Sequence, residues 1–163
     1  MAKRAQTTMV VGLGQTGAAC VRFLRAQGLP VAAMDTRREP PAAASVRDTD
    51  ASIPLHLGGL DAAALADAGE IVVSPGLAPD EPALEQARLY GVPVIGEIEL
   101  FARYARAPVV AITGSNGKST VTTLVGEMAA AAGKRAGVGG NLGPPAITLI
   151  QDPEPDVYVL ELS

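Results

Sequence analysis

Short apolar runs and longer amphipathic segments alternate along the first part of the chain. The longer segments place apolar residues at helical spacing, as with Cys20, Val21 and Leu24. Residues 37–54 are rich in Ala, Pro, Asp and Arg, and they predict an irregular loop. Because strands that alternate with helices pair in parallel through βαβ units, residues 1–96 predict a doubly wound parallel α/β domain. The predicted strands are 9–11, 31–34, 55–57, 71–73 and 94–95.

A second alternation follows a connecting helix and linker predicted at 97–108. The fully apolar run 109–112 predicts a strand covered on both faces, and 157–160 predicts another. Between them lie an amphipathic helix, a weak strand at 135–136 and a glycine-rich loop up to residue 143. We expect residues 109–163 to be the incomplete beginning of another α/β domain, and the chain to be a fragment of a longer protein. The residues that share the apolar face of the helix are Val121, Leu124, Val125, Met128 and Ala129.

The first glycine-rich motif is Gly12-Leu13-Gly14-Gln15-Thr16-Gly17, which follows a predicted strand and opens a predicted helix. Glycines let the backbone approach a phosphate closely, and the helix N-terminus favours its negative charge. Asp35 ends the next strand, where a carboxylate suits a ribose hydroxyl, and Arg37 adds a cation suited to a diphosphate. The pattern predicts a Rossmann-like nucleotide site, and a tight turn without a ligand is the alternative.

The second glycine-rich motif is Gly114-Ser115-Asn116-Gly117-Lys118-Ser119, a P-loop with two residues fewer between its glycines than the common form. Backbone N–H groups of such a loop surround phosphate oxygens, and Lys118 can reach the terminal phosphates. Glu161 ends the last predicted strand, where it could face Mg²⁺, and Ser119 or Thr120 offers a hydroxyl to the same ion. The motif therefore predicts the start of a P-loop ATPase-type α/β domain, and a turn with a solvated lysine is the alternative.

Composition narrows the function classes further. The 13 Lys and Arg residues against 17 Asp and Glu residues give a net charge of −4 and a pI near 5.0, which argues against nucleic acid as a partner. A single cysteine excludes an internal disulfide. No apolar run approaches the length of a membrane span, and Met1–Thr8 lacks the pattern of a signal peptide. We expect a cytoplasmic protein without a membrane partner.

The motifs together resemble the Mur ligases, which build the peptidoglycan stem peptide. Residues 111–123 closely resemble the ATP loop of that family, and residues 138–143 and 159–163 resemble its next two segments. The resemblance spans essentially the whole chain and covers the first domain and the opening of the central domain. The motifs that resemble the D-glutamate-adding members are 12–14 with 16–17, 35–37 and 74–76. Gln15 departs from the resemblance, because the family often has an apolar residue there.

The resemblance implies a role for each matching residue. Lys118 and Glu161 would be catalytic, and Ser119 and Glu161 would hold Mg²⁺. The residues that would hold ATP are Gly114, Ser115, Asn116, Gly117, Lys118, Ser119, Thr120 and Asn141. The residues that would hold the UDP-substrate are Gly14, Gln15, Thr16, Asp35, Thr36, Arg37, Ser74, Pro75 and Gly76.

The implied reaction is ATP-dependent amide-bond formation. ATP would phosphorylate the alanyl carboxylate of UDP-N-acetylmuramoyl-L-alanine, and the amine of D-glutamate would attack the acyl phosphate. The D-glutamate site has no counterpart in these 163 residues, so we expect this chain to be unable to turn over alone. We also expect a monomer. The alternatives are an NAD-binding oxidoreductase or regulatory Rossmann module, and a non-catalytic nucleotide-binding module.

Overall fold

The structure is a computed structural model that describes residues 7–78 and 80–163. The chain divides into two compact units, Met1–Glu97 and Ile98–Ser163, and each is described by itself. The segment 97–108, expected as a separate connector, falls almost entirely to the second unit. The first six residues, on which the expectation about a signal peptide depends, lie outside the described residues.

The first unit is a five-stranded parallel sheet in the order β3-β2-β1-β4-β5. In register, Val11 of β1 lies beside Met34 of β2 and Val73 of β4, so these three strands end together. The strands are β1 (Thr8–Val11), β2 (Val31–Asp35), β3 (Leu55–Leu57), β4 (Glu70–Val73) and β5 (Val94–Gly96). The helices are α1 (Gln15–Ala26), α2 (Ala43–Thr49), α3 (Ala62–Ala66) and α4 (Pro82–Leu89).

Residue alternation along the central strands builds the core of this unit. Met9 and Val11 of β1 are buried in a cluster with Leu65 of α3 and Leu84 of α4. Val10 points to the opposite face, where a Cβ atom at Gly17 of α1 would lie 3.7 Å from its side chain. The sheet is therefore covered by helices on both faces, which confirms the predicted Rossmann-like doubly wound fold.

The second unit has a three-stranded parallel sheet in the order β6-β8-β7. In register, Ile112 of β6 and Gly140 of β7 both lie beside Glu161 of β8, so the strands again end together. The elements are α5 (Glu97–Tyr104), β6 (Val109–Ile112), α6 (Lys118–Ala131), β7 (Ala136–Gly140), a 3₁₀ turn (Ala146–Leu149) and β8 (Val157–Glu161). None of the helices in the described ranges has the length and hydropathy needed to cross a bilayer.

Three local predictions were wrong. The segment 37–54 contains α2, because Val46 finds a buried position that a local pattern does not reveal. The first four residues of the loop predicted at 137–143 continue the weak predicted strand as β7, whose glycines pair along β8. In both cases tertiary contacts outweigh the local sequence pattern, because burial stabilises α2 and pairing with β8 stabilises β7.

The third wrong prediction concerns the face of α6 that packs. Thr122 and Gly126 are the buried residues of this helix. Of the predicted apolar face, Val125 and Ala129 are half-buried and the other three residues are exposed. A Cβ atom at Gly126 would lie 2.8 Å from the Val138 side chain, so α6 packs so closely against β7 that only a glycine fits at this position. The exposed fractions of the apolar side chains are 47% for Val121, 50% for Leu124 and 68% for Met128.

Candidate functional site

A cavity of about 450 Å³ opens at the carboxyl ends of the first sheet. Because β1, β2 and β4 end in register, the residues that follow them converge there. Gly12 and Gly14 come from the first glycine motif, and Ser74 and Gly76 follow β4. The other residues that line the cavity are Asp35, Thr36, Arg37, Leu77, Ala78 and Glu81.

The Asp35 carboxylate connects the glycine loop to the guanidinium of Arg37 through hydrogen bonds. Its Oδ2 atom accepts hydrogen bonds from the Leu13 backbone N–H at 2.6 Å and from Arg37 Nη2 at 2.8 Å. Its Oδ1 atom accepts from the Arg37 backbone N–H at 2.8 Å and from Arg37 Nε at 2.9 Å. The Asp35 side chain is 2% exposed and that of Arg37 is 51% exposed, so the guanidinium faces the solvent side.

These contacts keep Asp35 ionised. The side-chain hydrogen bond from Arg37 is the largest cause that lowers the pKa of Asp35 from 3.8 to about 2, and the backbone N–H groups of Arg37 and Leu13 add to it. Burial acts in the opposite direction and is outweighed. The cavity therefore contains a fixed ion pair, with the carboxylate buried beneath the guanidinium.

A separate cavity of about 330 Å³ lies at the second glycine motif. Gly117 precedes α6 with φ of 74°, a left-handed conformation that favours glycine, and it directs the following residues into the helix. Lys118 is the first residue of α6, so its charge stands at the helix N-terminus where phosphates bind. The residues that line this cavity are Ser115, Asn116, Gly117, Lys118, Ser119, Thr120 and Glu161.

Two hydrogen bonds order the polar groups of this cavity. Lys118 Nζ donates to the Gly114 carbonyl oxygen at 2.8 Å, so the lysine folds back over the loop. Ser119 Oγ donates to Glu161 Oε2 at 2.7 Å, although the two residues are 42 positions apart. A hydroxyl and a carboxylate in contact form the oxygen-only donor set that Mg²⁺ takes from proteins when phosphates and waters supply its other ligands. These two residues therefore fit a magnesium ion.

Some predicted site residues lie outside the cavities. Among the described residues that line the first cavity, Gln15, Thr16 and Pro75 do not occur, although all three adjoin residues that do. Gly114 and Asn141 do not line the second cavity, and the Asn141 backbone N–H donates to the Glu161 carbonyl oxygen at 2.9 Å. The assignment of ligands to these residues stays a prediction.

Sequence reasoning missed four residues of the first cavity. Gly12 was part of the recognised motif but was not assigned to the ligand, and Leu77, Ala78 and Glu81 lie on the segment between β4 and α4. The order of the strands could have revealed this segment. A chain that leaves the end of a central parallel strand passes over the same edge as the glycine loop.

Comparison with known proteins agrees with the fold. The UDP-N-acetylmuramoylalanine–D-glutamate ligase of Nitrosococcus oceani is 52% identical over 159 residues, which are 98% of this chain and 35% of that protein. The ligase of the same name from Pseudomonas syringae pv. syringae is 59% identical over 155 residues, which are 95% of this chain and 34% of that protein. The chain thus spans about a third of the length of these relatives.

A solved structure and a family match complete the comparison. The UDP-N-acetylmuramate-alanine ligase MurC from Thermotoga maritima superposes with a TM-score of 0.57 at 21% identity, over 96% of this chain and 37% of that one, which shows a shared fold. Residues 6–96 match the family described as Mur ligase MurD-like, N-terminal domain. That match includes the whole first sheet and the cavity at its carboxyl end. The chain therefore belongs to the MurD-like Mur ligase family.

Proposed function

We propose that this chain is the nucleotide-binding part of an ATP-dependent ligase that adds D-glutamate to UDP-N-acetylmuramoyl-L-alanine in peptidoglycan synthesis. The names of the relatives supply the reaction, and the chain matches them along nearly its whole length. The observation that carries the proposal is the contact of Ser119 with Glu161 inside the Lys118 cavity. NAD binding at the first glycine motif would not require the arrangement of Lys118, Ser119 and Glu161.

The second unit would bind ATP with Mg²⁺. The backbone N–H groups of the glycine loop and the N-terminus of α6 would surround the phosphates, and Lys118 would leave the Gly114 carbonyl to reach the terminal phosphate. Magnesium held by Ser119 and Glu161 would supply charge neutralisation during phosphoryl transfer. Lys118 would add a second positive charge. During phosphoryl transfer negative charge builds up on the oxygen that bridges the β- and γ-phosphates, so this positive charge would stabilise the transition state more than the ground state.

The first unit would hold the UDP end of the other substrate. Its cavity combines the N-terminus of α1, which favours a diphosphate, with the fixed guanidinium of Arg37. Asp35 keeps that guanidinium in place through two side-chain contacts. The arrangement is suited to a nucleoside diphosphate, since both positive elements are available to the ligand.

The catalytic reaction would need polypeptide in addition to these residues. Val109 and Val110 of β6 are 45% and 39% exposed, and the apolar face of α6 that bears Leu124 and Met128 is exposed as well. Apolar surface of this kind at one edge of a parallel sheet favours cover by further polypeptide. We infer that the present residues bind the nucleotides and that the amine-acceptor site is formed elsewhere in the whole ligase.

Calorimetric titration tests the ATP site. The chain should bind a non-hydrolysable ATP analogue with Mg²⁺, and Lys118→Ala should weaken binding at least about tenfold, since hydrogen bonds to charged groups contribute about 1.5–3 kcal/mol. Lys134→Ala is the matched control, because Lys134 is an exposed lysine beyond the other end of the same helix. Equal losses in both variants, or no binding by the unaltered chain, would contradict the assignment.

The same assay tests the first cavity. UDP should bind more tightly than NADH, and Arg37→Ala should weaken UDP by about tenfold. Arg47→Ala removes an exposed arginine of α2 and should leave UDP binding unchanged. Tighter binding of NADH would favour the oxidoreductase alternative. Dipeptide formation from ATP, D-glutamate and UDP-N-acetylmuramoyl-L-alanine by the chain alone would refute its assignment to binding without turnover.

A further inference from the structure

The two carboxylates of the first cavity differ in how many of their acceptor positions are already used. Asp35 accepts four hydrogen bonds, one from the Leu13 N–H and three from Arg37. A carboxylate offers about four lone-pair positions, so the acceptor capacity of Asp35 is filled by the protein. A ligand hydroxyl could bond to Asp35 only by displacing one of these donors.

The acceptor positions of the Glu81 carboxylate, in contrast to those of Asp35, are not filled by the described residues. It lines the cavity and is half-buried, and it is the N-cap residue of α4. Its side chain does not cap that helix, because the Leu84 and Glu85 N–H groups bond to the Glu81 backbone carbonyl. Within the described residues, no donor pairs with the Glu81 carboxylate. Among the described residues, Glu81 is therefore a carboxylate of this cavity that the protein leaves to a ligand.

Charge determines which part of a nucleotide can meet Glu81. Phosphates are attracted to the glycine loop at the start of α1 and to Arg37, and they are repelled by a second anion. The uncharged hydrogen-bond donors of a uridine diphosphate are the ribose hydroxyls and the uracil N3–H, and the ribose hydroxyls lie nearer to the phosphates that the glycine loop attracts. Glu81 would thus orient the ligand with its sugar, and not its phosphates, against α4.

We propose that Glu81 determines specificity in this cavity by accepting a hydrogen bond from a ribose hydroxyl of the uridine nucleotide, and that Asp35 only positions Arg37 and the glycine loop. The inference rests on the proposed function, because that function supplies the nucleotide. It reverses the expectation from the sequence, in which Asp35 was the acceptor for the sugar. Glu81 lies 46 positions further along the chain, and only the fold brings it to the same cavity.

The test compares the dissociation constants of UDP, 2′-deoxy-UDP and 3′-deoxy-UDP by calorimetry. The three ligands carry the same charge, so removing an anion from the cavity changes the affinity for all three by the same factor. The ratio of the affinity for UDP to that for a deoxy ligand is therefore free of this general effect. The unaltered chain should bind one of the deoxy ligands about tenfold more weakly than UDP, as expected for a lost hydrogen bond to a charged acceptor. Glu81→Ala should bind that ligand and UDP equally well.

Two further variants separate the roles. Glu85→Ala removes an exposed carboxylate one turn along α4 and should keep the tenfold ratio. Asp35→Asn should weaken all three ligands by the same factor, and should cost less affinity in an Arg37→Ala background than in the unaltered chain, because it acts partly through Arg37. Glu81→Gln, which keeps an acceptor oxygen, should retain part of the ratio and guards against a folding defect in Glu81→Ala.

The outcomes distinguish this inference from the proposed function. If the unaltered chain binds UDP but Glu81→Ala keeps the tenfold ratio, the role of Glu81 is wrong and the uridine site stands. Loss of the ratio in Asp35→Asn, or the absence of any ratio in the unaltered chain, would also overturn it. Failure of the unaltered chain to bind UDP would overturn the proposed function and this inference together.

Discussion

Gly17 is the position of the first unit where a side chain would meet the most severe obstruction. A Cβ atom there would lie 1.7 Å from the Gly12 carbonyl oxygen and 2.9 Å from its carbonyl carbon. Carbon and oxygen atoms in contact stay about 3.3 Å apart or more. Since both obstructing atoms belong to the backbone, no side-chain rotation relieves the clash. The start of α1 would have to move away from the end of β1 by on the order of 1.5 Å.

The expected cost of Gly17→Ala follows from that displacement. Overpacking costs about 1–3 kcal/mol in general, and a clash with backbone belongs at the upper end, about 3 kcal/mol. This is a large part of the roughly 5–15 kcal/mol that stabilises a domain. For a unit of this size the melting temperature should fall by about 12–24 °C, at about 4–8 °C for each kcal/mol.

Gly14→Ala is the matched control in the same loop. Gly14 has φ of −85°, and a Cβ atom there meets nothing within 4 Å. Its stability cost should stay below about 1 kcal/mol, the usual effect of alanine at an N-cap. Differential scanning calorimetry should measure both variants, with hydrogen exchange of the β1 amides to assign the transition to the first unit. A Gly17→Ala transition within a few degrees of that of Gly14→Ala would refute the reasoning.

Three further predictions concern single contacts. The pKa of Asp35 is lowered from 3.8 to about 2, so the ionised carboxylate should stabilise the folded first unit by about 2 kcal/mol above about pH 5. This contribution should be lost as the pH falls toward 2. The free energy of unfolding measured in urea should lack this pH dependence in Asp35→Asn. Thr122→Val should raise the stability of the second unit by about 1 kcal/mol in calorimetry, because the buried Thr122 hydroxyl has no partner among the described residues. Glu154→Ala should speed hydrogen exchange of the amides at 106 and 107, since the Glu154 carboxylate accepts from both at 2.7 and 3.1 Å.

The last two of these predictions have matched control variants. Thr123→Val should destabilise slightly, because the Thr123 hydroxyl bonds to the Ser119 carbonyl at 2.9 Å. Glu99→Ala leaves the contacts at 106–107 intact and should not change their exchange. A stable low-pH form of the unaltered chain, a destabilised Thr122→Val or unchanged exchange in Glu154→Ala would each contradict the corresponding contact.

The sequence by itself determined the alternation of strands and helices and the positions of both glycine loops. Apolar runs and helical spacing are local properties, so β1, α1, β6 and the start of α6 could be predicted from neighbouring residues alone. The rule that parallel strands present their carboxyl ends at one edge then placed Asp35 and Glu161 near the loops. The structure confirms these placements, with Asp35 in the first cavity and Glu161 in the second.

Tertiary structure alone decided how the polar groups share their hydrogen bonds and which faces are buried. The acceptor positions of Asp35 are filled by residues far apart in the chain, and the Glu81 carboxylate accepts no hydrogen bond from the described residues, so no local pattern contains either feature. The packing face of α6 was decided by Gly126 against Val138, where close approach mattered more than apolar character. Periodicity reports which residues share a face of a helix, whereas the distance to a neighbouring strand selects the face that packs.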